Sequence, residues 1–337
     1  MMIQDKKTNT SLPSFRWKKL VVLAKLTITG LILSYIFQTF QREQKGLSDI
    51  LVSLNKVWSN DNLLIIILLV ILIPLNWALE SLKWQTLVNK IFKISFWQAF
   101  RGTLTGLAVG VAVPAQVGDT LGRLGALPSQ NRMRALGAAL VSNGIQFYVS
   151  IVGGTLGWLA ISDRIGLPNS QQDSILTLLI CLCLMGVLIG IFRKNLISFN
   201  TRKPFLIRIK TYLSVIGAYK SQHLLYATFL GGLRYLVFLG QFLLALSLFH
   251  FPVDTASLAS CVSLIFLVKT ILPAINIIGD LGIREFTALY VFQSFYLPVE
   301  EVLAATFLIW VVNVLGPLFI GMYLLWKVKI KRNYFGK

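Results

Sequence analysis

Nine ionisable residues sit within apolar sequence in this chain: Glu80, Arg101, Asp119, Arg123, Arg234, Lys269, Asp280, Arg284 and Glu285. An ion in hydrocarbon costs at least ~2.5–3.5 kcal/mol on insertion scales, so each needs a partner or a function. Asp119 and Arg123 are four residues apart, as are Asp280 and Arg284, which puts each pair on one face of a helix. The chemistry such pairs offer is anion binding. An arginine fork takes phosphate oxygens two at a time, and a carboxylate beside it sets its orientation. The simpler reading is that each pair neutralises itself and locks the chain locally. The residues alone leave both readings open.

Both pairs lie in stretches of one pattern. Pro114, Gly118, Asp119, Gly122 and Arg123 form the first; Pro273, Gly279, Asp280, Gly282, Arg284 and Glu285 form the second. Each follows an apolar run, breaks at the proline and uses glycines as hinges. Matched interruptions in two halves of a membrane protein point to a substrate site. Helix N-termini after Pro114 and Pro273 would add free N–H groups and a positive dipole end. Glu80 shares a face with Asn76, a turn from the expected membrane boundary. There it is expected to snorkel, pair with Lys83 or Arg101, accept a proton or contact a lipid amine. Arg234 and Gln241 share one side of a later span, and Lys269 precedes the second break by four residues, as a cation for a headgroup would. Asn143, Gln146 and Asn313 fit interhelical hydrogen bonds. Trp58, Trp77, Trp84, Trp158 and Trp326 fall near span ends, as interfacial anchors do.

The elements that position these residues follow from composition. Of 337 residues, 55% are hydrophobic and 13% charged, and several windows of about 20 residues could cross about 30 Å of hydrocarbon. Runs such as Leu63 to Leu75 lack the period-two alternation of a transmembrane barrel. The fold expected is all-α, a polytopic helical membrane bundle. Full spans are expected at about 20–40, 62–82, 135–161, 174–192, 224–249 and 302–326. The net charge of +19 comes from basic residues that flank these spans, so it speaks for topology and against a nucleic-acid partner. The basic clusters share one side, which predicts an inner-membrane protein with both termini cytoplasmic. Residues 1–19 form a basic arm before a signal anchor, and 327–337 a basic tail.

Segments 95–130 and 255–298 each begin and end on one side, the first inside and the second outside. They read as re-entrant helical hairpins entering from opposite faces, or as pairs of short complete spans giving ten crossings. Irregular backbone at membrane depth needs protein or a wet cavity around it. Opposite entry suits an inverted repeat with halves 62–161 and 224–326, connected by 174–223. Within that connection, 193–220 reads either as an amphipathic stretch on the inner leaflet or as a basic loop.

Three cysteines in apolar segments and two isolated histidines suggest neither a disulfide framework, a metal site nor a catalytic triad. No nucleotide motif is present, no cofactor is expected, and no segment outside the membrane exceeds about 30 residues, too short for a soluble catalytic domain. The motifs resemble the transmembrane region of lysylphosphatidylglycerol synthases. Pro114, Gly118, Asp119, Gly122 and Arg123 fit its first signature. Pro273, Asp280, Leu281, Gly282, Ile283, Arg284 and Glu285 fit its second, and the likeness spans about 15–330. It implies a helical bundle with re-entrant hairpins that binds lipid headgroups and moves them between leaflets. It does not imply lysyl transfer, which the synthases carry out in a further soluble domain. Aspartate stands at 119 where that family more often has glutamate, which keeps the charge and shortens the reach.

The expected function is translocation of a lipid or lipid-linked glycan, its anionic headgroup held between the hairpins near Arg123, Arg284, Arg234 and Lys269. One alternative is a non-transporting accessory subunit, whose partner would be a glycosyltransferase or lipid-pathway enzyme. The other is an intramembrane enzyme using Asp119, Asp280 or Glu285 as acid or base.

Overall fold

Long uncharged runs become helices because a backbone in hydrocarbon must satisfy its own hydrogen bonds. The computed structural model describes residues 46–112, 117–127, 132–198, 219–272 and 282–334, with isolated positions at 34, 37, 38, 41 and 217. It contains helices and no strand among the described residues. In chain order these are α1 (Leu47–Val57), α2 (Leu63–Val88), α3 (Phe96–Ala112), α4 (Val117–Gly125), α5 (Arg132–Ile161), α6 (Asn169–Ser198), α7 (Ser221–Ser247), α8 (Thr255–Ile271), α9 (Ile283–Phe292), α10 (Val299–Trp310) and α11 (Gly316–Tyr334). A π turn, Val311–Leu315, joins α10 to α11.

Five segments are long and apolar enough to cross a membrane: α2, α5 with the turn that follows it, α6, α7, and α10 running into α11. They match five of the six expected spans. The sixth, 20–40, lies outside the described residues, as do the basic arm, most of the 193–220 connection, the end of the basic tail, and Pro114, Pro273, Gly279 and Asp280. Helix α1 replaces an expected loop. Its amphipathic sequence packs on α10, and Asp49 accepts from the Gly46 N–H at 2.7 Å to cap it.

Each of the two interrupted segments is a long arm and a short arm packed together. Helices α3 and α8 have 17 residues each, whereas α4 and α9 have 9 and 10. At 1.5 Å per residue the short arms reach only ~15 Å, about half the ~30 Å of a hydrocarbon core. Helix α3 lies between its own short arm and α11, and α8 lies between its own short arm and α5. Helices α2 and α7 pack against each other at the centre.

Three spans pass through the same sequence of environments. Leu69 of α2, Phe242 of α7 and Ile151 of α5 enter one apolar core. Leu87 of α2, Ala227 of α7 and Ala138 of α5 enter a second. Between the cores the same helices present Asn76, Glu80 and Lys83, then Gln241 and Arg234, then Asn143 and Gln146. The polar layer begins with a ladder. Asn76 Nδ2 donates to Asn313 Oδ1 at 3.2 Å, Asn313 Nδ2 to Gln241 Oε1 at 2.9 Å, and Gln241 Nε2 to the Leu69 carbonyl at 3.2 Å. Asn313 sits in the π turn, where the helical ladder is locally broken, and Trp77 Nε1 donates to its carbonyl at 3.2 Å.

Candidate functional site

One turn beyond this ladder the layer becomes ionic. Glu80, Lys83, Trp77 and Trp84 are spaced three or four apart, so they share a face of α2. Glu80 Oε1 accepts from Arg123 Nη2 of α4 at 2.9 Å. Glu80 Oε2 lies 2.8 Å from Lys83 Nζ and 3.1 Å from Arg234 Nη1 of α7. Arg123 Nε also donates to both oxygens of Asp119, at 3.0 and 2.9 Å. The outer partners come from α5: Asn143 Nδ2 donates to Asp119 at 3.4 Å and Lys83 Nζ to Gln146 Oε1 at 3.0 Å. The Arg123 guanidinium stacks 5.6 Å from the Trp84 ring, and that of Arg234 5.6 Å from Trp77.

Depth makes these contacts consequential. Arg234 is the middle residue of α7, ~20 Å from either end at 1.5 Å per residue. The side chain of Lys83 is fully buried and that of Glu80 3% exposed; Asp119 at 22% and Arg234 at 20% form the cluster's accessible edge. Buried ions cost several kcal/mol each in desolvation unless partnered. Among the described residues three cations face two carboxylates, which leaves one positive charge over. Donors are also left over: Arg123 Nη1, Arg234 Nε and Trp84 Nε1 are buried without a hydrogen-bond partner among the described residues. Surplus positive charge and surplus N–H donors are the features with which an oxyanion would pair.

The local sequence explains how α4 delivers Arg123. A Cβ on Gly118 would collide with the Val109 carbonyl, and one on Gly122 with that of Thr105. A Cβ on Gly106 of α3 would stand 2.6 Å from Asp119 Oδ1 and 2.9 Å from Arg123 Cγ. Glycine at all three positions lets the short arm lie directly on the long one. Thr105 Oγ1 then donates to the Gly122 carbonyl at 3.1 Å.

The second motif is built differently. Arg284, fully buried, donates to its neighbour Glu285 through Nε at 3.2 Å and Nη2 at 2.9 Å. Glu285 also accepts from the Gly282 N–H at 2.6 Å, which caps α9. Gly282 has φ +94°, a conformation that glycine adopts without a Cβ clash. Lys269 lies over Phe238 and Phe266, 5.0 and 5.7 Å from the ring centroids.

Of the residues the sequence singled out, the structure therefore gathers Glu80, Asp119, Arg123 and Arg234, and puts Arg284 with Glu285 and Lys269 on an aromatic pair. Of the partners offered for Glu80, Lys83 is present at 2.8 Å, whereas exposed Arg101 is not among its ion pairs; Trp77 and Trp84 were missed as members of the site. The expected span ended at 82, which put Lys83 among the basic residues of a loop even as it was offered as a partner of Glu80, and left snorkelling open for Glu80. Helix α2 continues to Val88, and both side chains turn inward. Trp77, Trp84 and Trp158 are buried packing residues and not interfacial anchors, while Trp58 and Trp326 are exposed. The helical spacing of Trp77, Lys83 and Trp84 from Glu80 was the available signal.

No curated protein matches the chain. The family described as "Lysylphosphatidylglycerol synthase TM region" matches residues 22–321, which takes in α1 to α10, the first turns of α11 and the whole ionic cluster. The chain is an integral membrane protein and belongs to that lysylphosphatidylglycerol synthase transmembrane-region family.

Proposed function

We propose that this chain is a translocator for a lipid or lipid-linked glycan and that the phosphate of the headgroup binds at Arg123, Arg234 and Lys83. The observation that carries this reading is the surplus of one cation and of two guanidinium donors in a buried layer at mid-span. The accessible edge at Asp119 and Arg234 is where a headgroup would enter.

The packing supports an alternating mechanism. Pairing α2 with α7, α3 with α8, α4 with α9 and α5 with α10–α11 maps the contacts of one half onto those of the other. The exchange is reciprocal: α3 rests on α11 and α8 on α5. An inverted repeat, with α3–α4 and α8–α9 as re-entrant hairpins, would account for this exchange. Glu80 and Arg234 belong to different halves, so their ion pair joins the halves at the centre. Phosphate arriving at Arg234 replaces Glu80 as its partner and loosens that joint, which couples occupancy to rocking. The basic flanks favour a cytoplasmic membrane with both termini inside.

The test is headgroup-dependent scrambling of tail-labelled phospholipid in liposomes containing the purified protein. Arg123→Gln and Arg234→Gln are each expected to fall to the protein-free rate while remaining monodisperse in detergent. Wild-type rates in both variants would remove the site from the proposal.

A further inference from the structure

The cluster holds carboxylates that an anion site does not obviously need. Glu80 and Asp119 repel an arriving phosphate, and a site for strong anion capture would omit them. Their effect is arithmetic. Among the described residues Lys83, Arg123 and Arg234 supply three positive charges, and the two carboxylates reduce these to one. Arg101 of α3 is exposed and the ionic partners of Glu80 are Lys83, Arg123 and Arg234. Because Lys83 and Glu80 are out of water, solvent does little to screen a mismatch.

Resting on the translocator reading above, we infer that Asp119 and Glu80 are the specificity-determining residues of the site and tune it to a phosphate with a single negative charge. A phosphodiester headgroup carries one charge and brings the buried layer to neutrality. A phosphomonoester carries about −1.5 to −2 at pH 7 and leaves it net negative. The class admitted is lipid phosphodiesters, including diester-linked glycans; terminal phosphomonoesters and pyrophosphates are refused. Discrimination arises from unpaired charge against the wrong ligand, a general route to specificity. Asp119 is the better placed of the two to exert it, because it stands at the accessible edge and holds Arg123 by two hydrogen bonds.

The experiment uses full-length protein with chain-matched phosphatidylglycerol, a diester, and phosphatidic acid, a monoester. Native mass spectrometry reads binding, and liposome scrambling reads transport. The wild type is expected to prefer phosphatidylglycerol by about tenfold or more, the factor that ~1.4 kcal/mol represents. Asp119→Asn raises the surplus to two charges and should reverse the order in favour of phosphatidic acid. Glu80→Gln makes the same charge change at a fully buried position; Asp119→Asn, at the half-open edge, keeps the test readable if that variant does not fold. Equal binding of the two lipids by the wild type, or an unchanged order in Asp119→Asn, overturns the inference. A diester preference in binding that Asp119→Asn reverses, without any scrambling, upholds the inference and instead overturns the translocator reading.

Discussion

Helices α4 and α9 carry the two versions of one motif, and their arginines have different fates. Arg123 reaches out of its own helix to Glu80 of α2, where it shares a carboxylate with Lys83 and Arg234 of α7. Arg284 turns to Glu285, the adjacent residue, and that carboxylate also caps α9. The first arrangement spans three helices and leaves positive charge over. In the second, the ion pair between Arg284 and Glu285 lies within one turn. Duplication of a short motif therefore duplicates a way of breaking a membrane helix, while the surrounding spans decide whether its charge is available to a ligand. The reach of the arginine, across to other helices or to its own neighbour, separates the two sites better than the motif does.

The largest expected effect tests that asymmetry through stability. Breaking a buried ion pair by removing one partner costs ~3–5 kcal/mol because a charge is left uncompensated. Arg284→Gln strands Glu285 in this way. Arg123→Gln leaves Glu80 with two cations and brings the cluster to neutrality, so its cost should be lower, ~1–2 kcal/mol, as for a lost hydrogen-bond set. Thermal unfolding of purified protein in detergent is expected to rank Arg284→Gln well below Arg123→Gln, while scrambling ranks them in reverse among folded molecules. A larger stability loss in Arg123→Gln would mean that α4 carries the structural pair.

The glycines give the next contrast. Gly122→Ala sets a methyl against the Thr105 carbonyl and Gly106, forcing α4 off α3 at a cost of ~1–3 kcal/mol, as overpacking does. Because α4 carries Arg123, transport should fall with stability. Gly282→Ala meets its penalty in the backbone, where φ is +94°, at ~1–2 kcal/mol. It should lower stability and spare the rate per folded molecule. Loss of transport in Gly282→Ala at full stability would bring α9 back into the functional site.

A smaller effect is expected from Asn313→Leu, which removes the hydrogen bonds with Asn76 and Gln241. Interhelical hydrogen bonds in membranes average ~0.6 kcal/mol, so the loss should be about 1 kcal/mol. If the ladder only ties spans together, lipid preference stays as in the wild type. A changed preference would extend the site from Glu80 into the ladder.

Much of this was legible before the fold was known, and the gaps have physical causes. Asp119 and Arg123 declared their pairing through helical spacing. Glu80 and Arg234 each stood out as ions in apolar runs. Their meeting did not, because contacts between spans far apart in the chain leave no local pattern. The pairing of Lys83 with Glu80 was foreseen as one option, but its burial was not, because a lysine near a span end usually signals topology and α2 runs further than its most apolar window. In the second motif, spacing pointed Arg284 at Asp280, which lies outside the described residues. Glu285 was noticed as an ion, while its capping of α9 depends on Gly282 starting the helix three residues earlier. Trp77 and Trp84 were placed by their distance from the span end, and only the neighbouring helices show that end to be enclosed.

The long arms offer the mildest contrast, in how each helix begins. At α3, Gln98 Oε1 accepts from the Ser95 N–H at 2.9 Å and Ser95 Oγ from the Gln98 N–H at 3.2 Å, a neutral capping box. At α8 the cap is a carboxylate: exposed Asp254 accepts from the Ser257 N–H at 2.8 Å. Hydrogen bonds from the Ser257 hydroxyl and then its backbone hold the Asp254 carboxyl below its ordinary value of 3.8. A carboxyl lowered by folding contributes stability that is present above its unfolded pKa and is lost as pH falls through its folded one. The start of α8 should thus loosen as pH drops below about 3.8, while the start of α3 keeps its cap. Amide exchange on residues 255–258 and 96–99, followed from neutral to acid pH in detergent, reads the difference. Asp254→Asn retains an acceptor suited to a cap and should abolish the pH response of the first segment. Equal acid sensitivity at both ends, or a response that survives in Asp254→Asn, would assign the loosening to a group elsewhere in the protein.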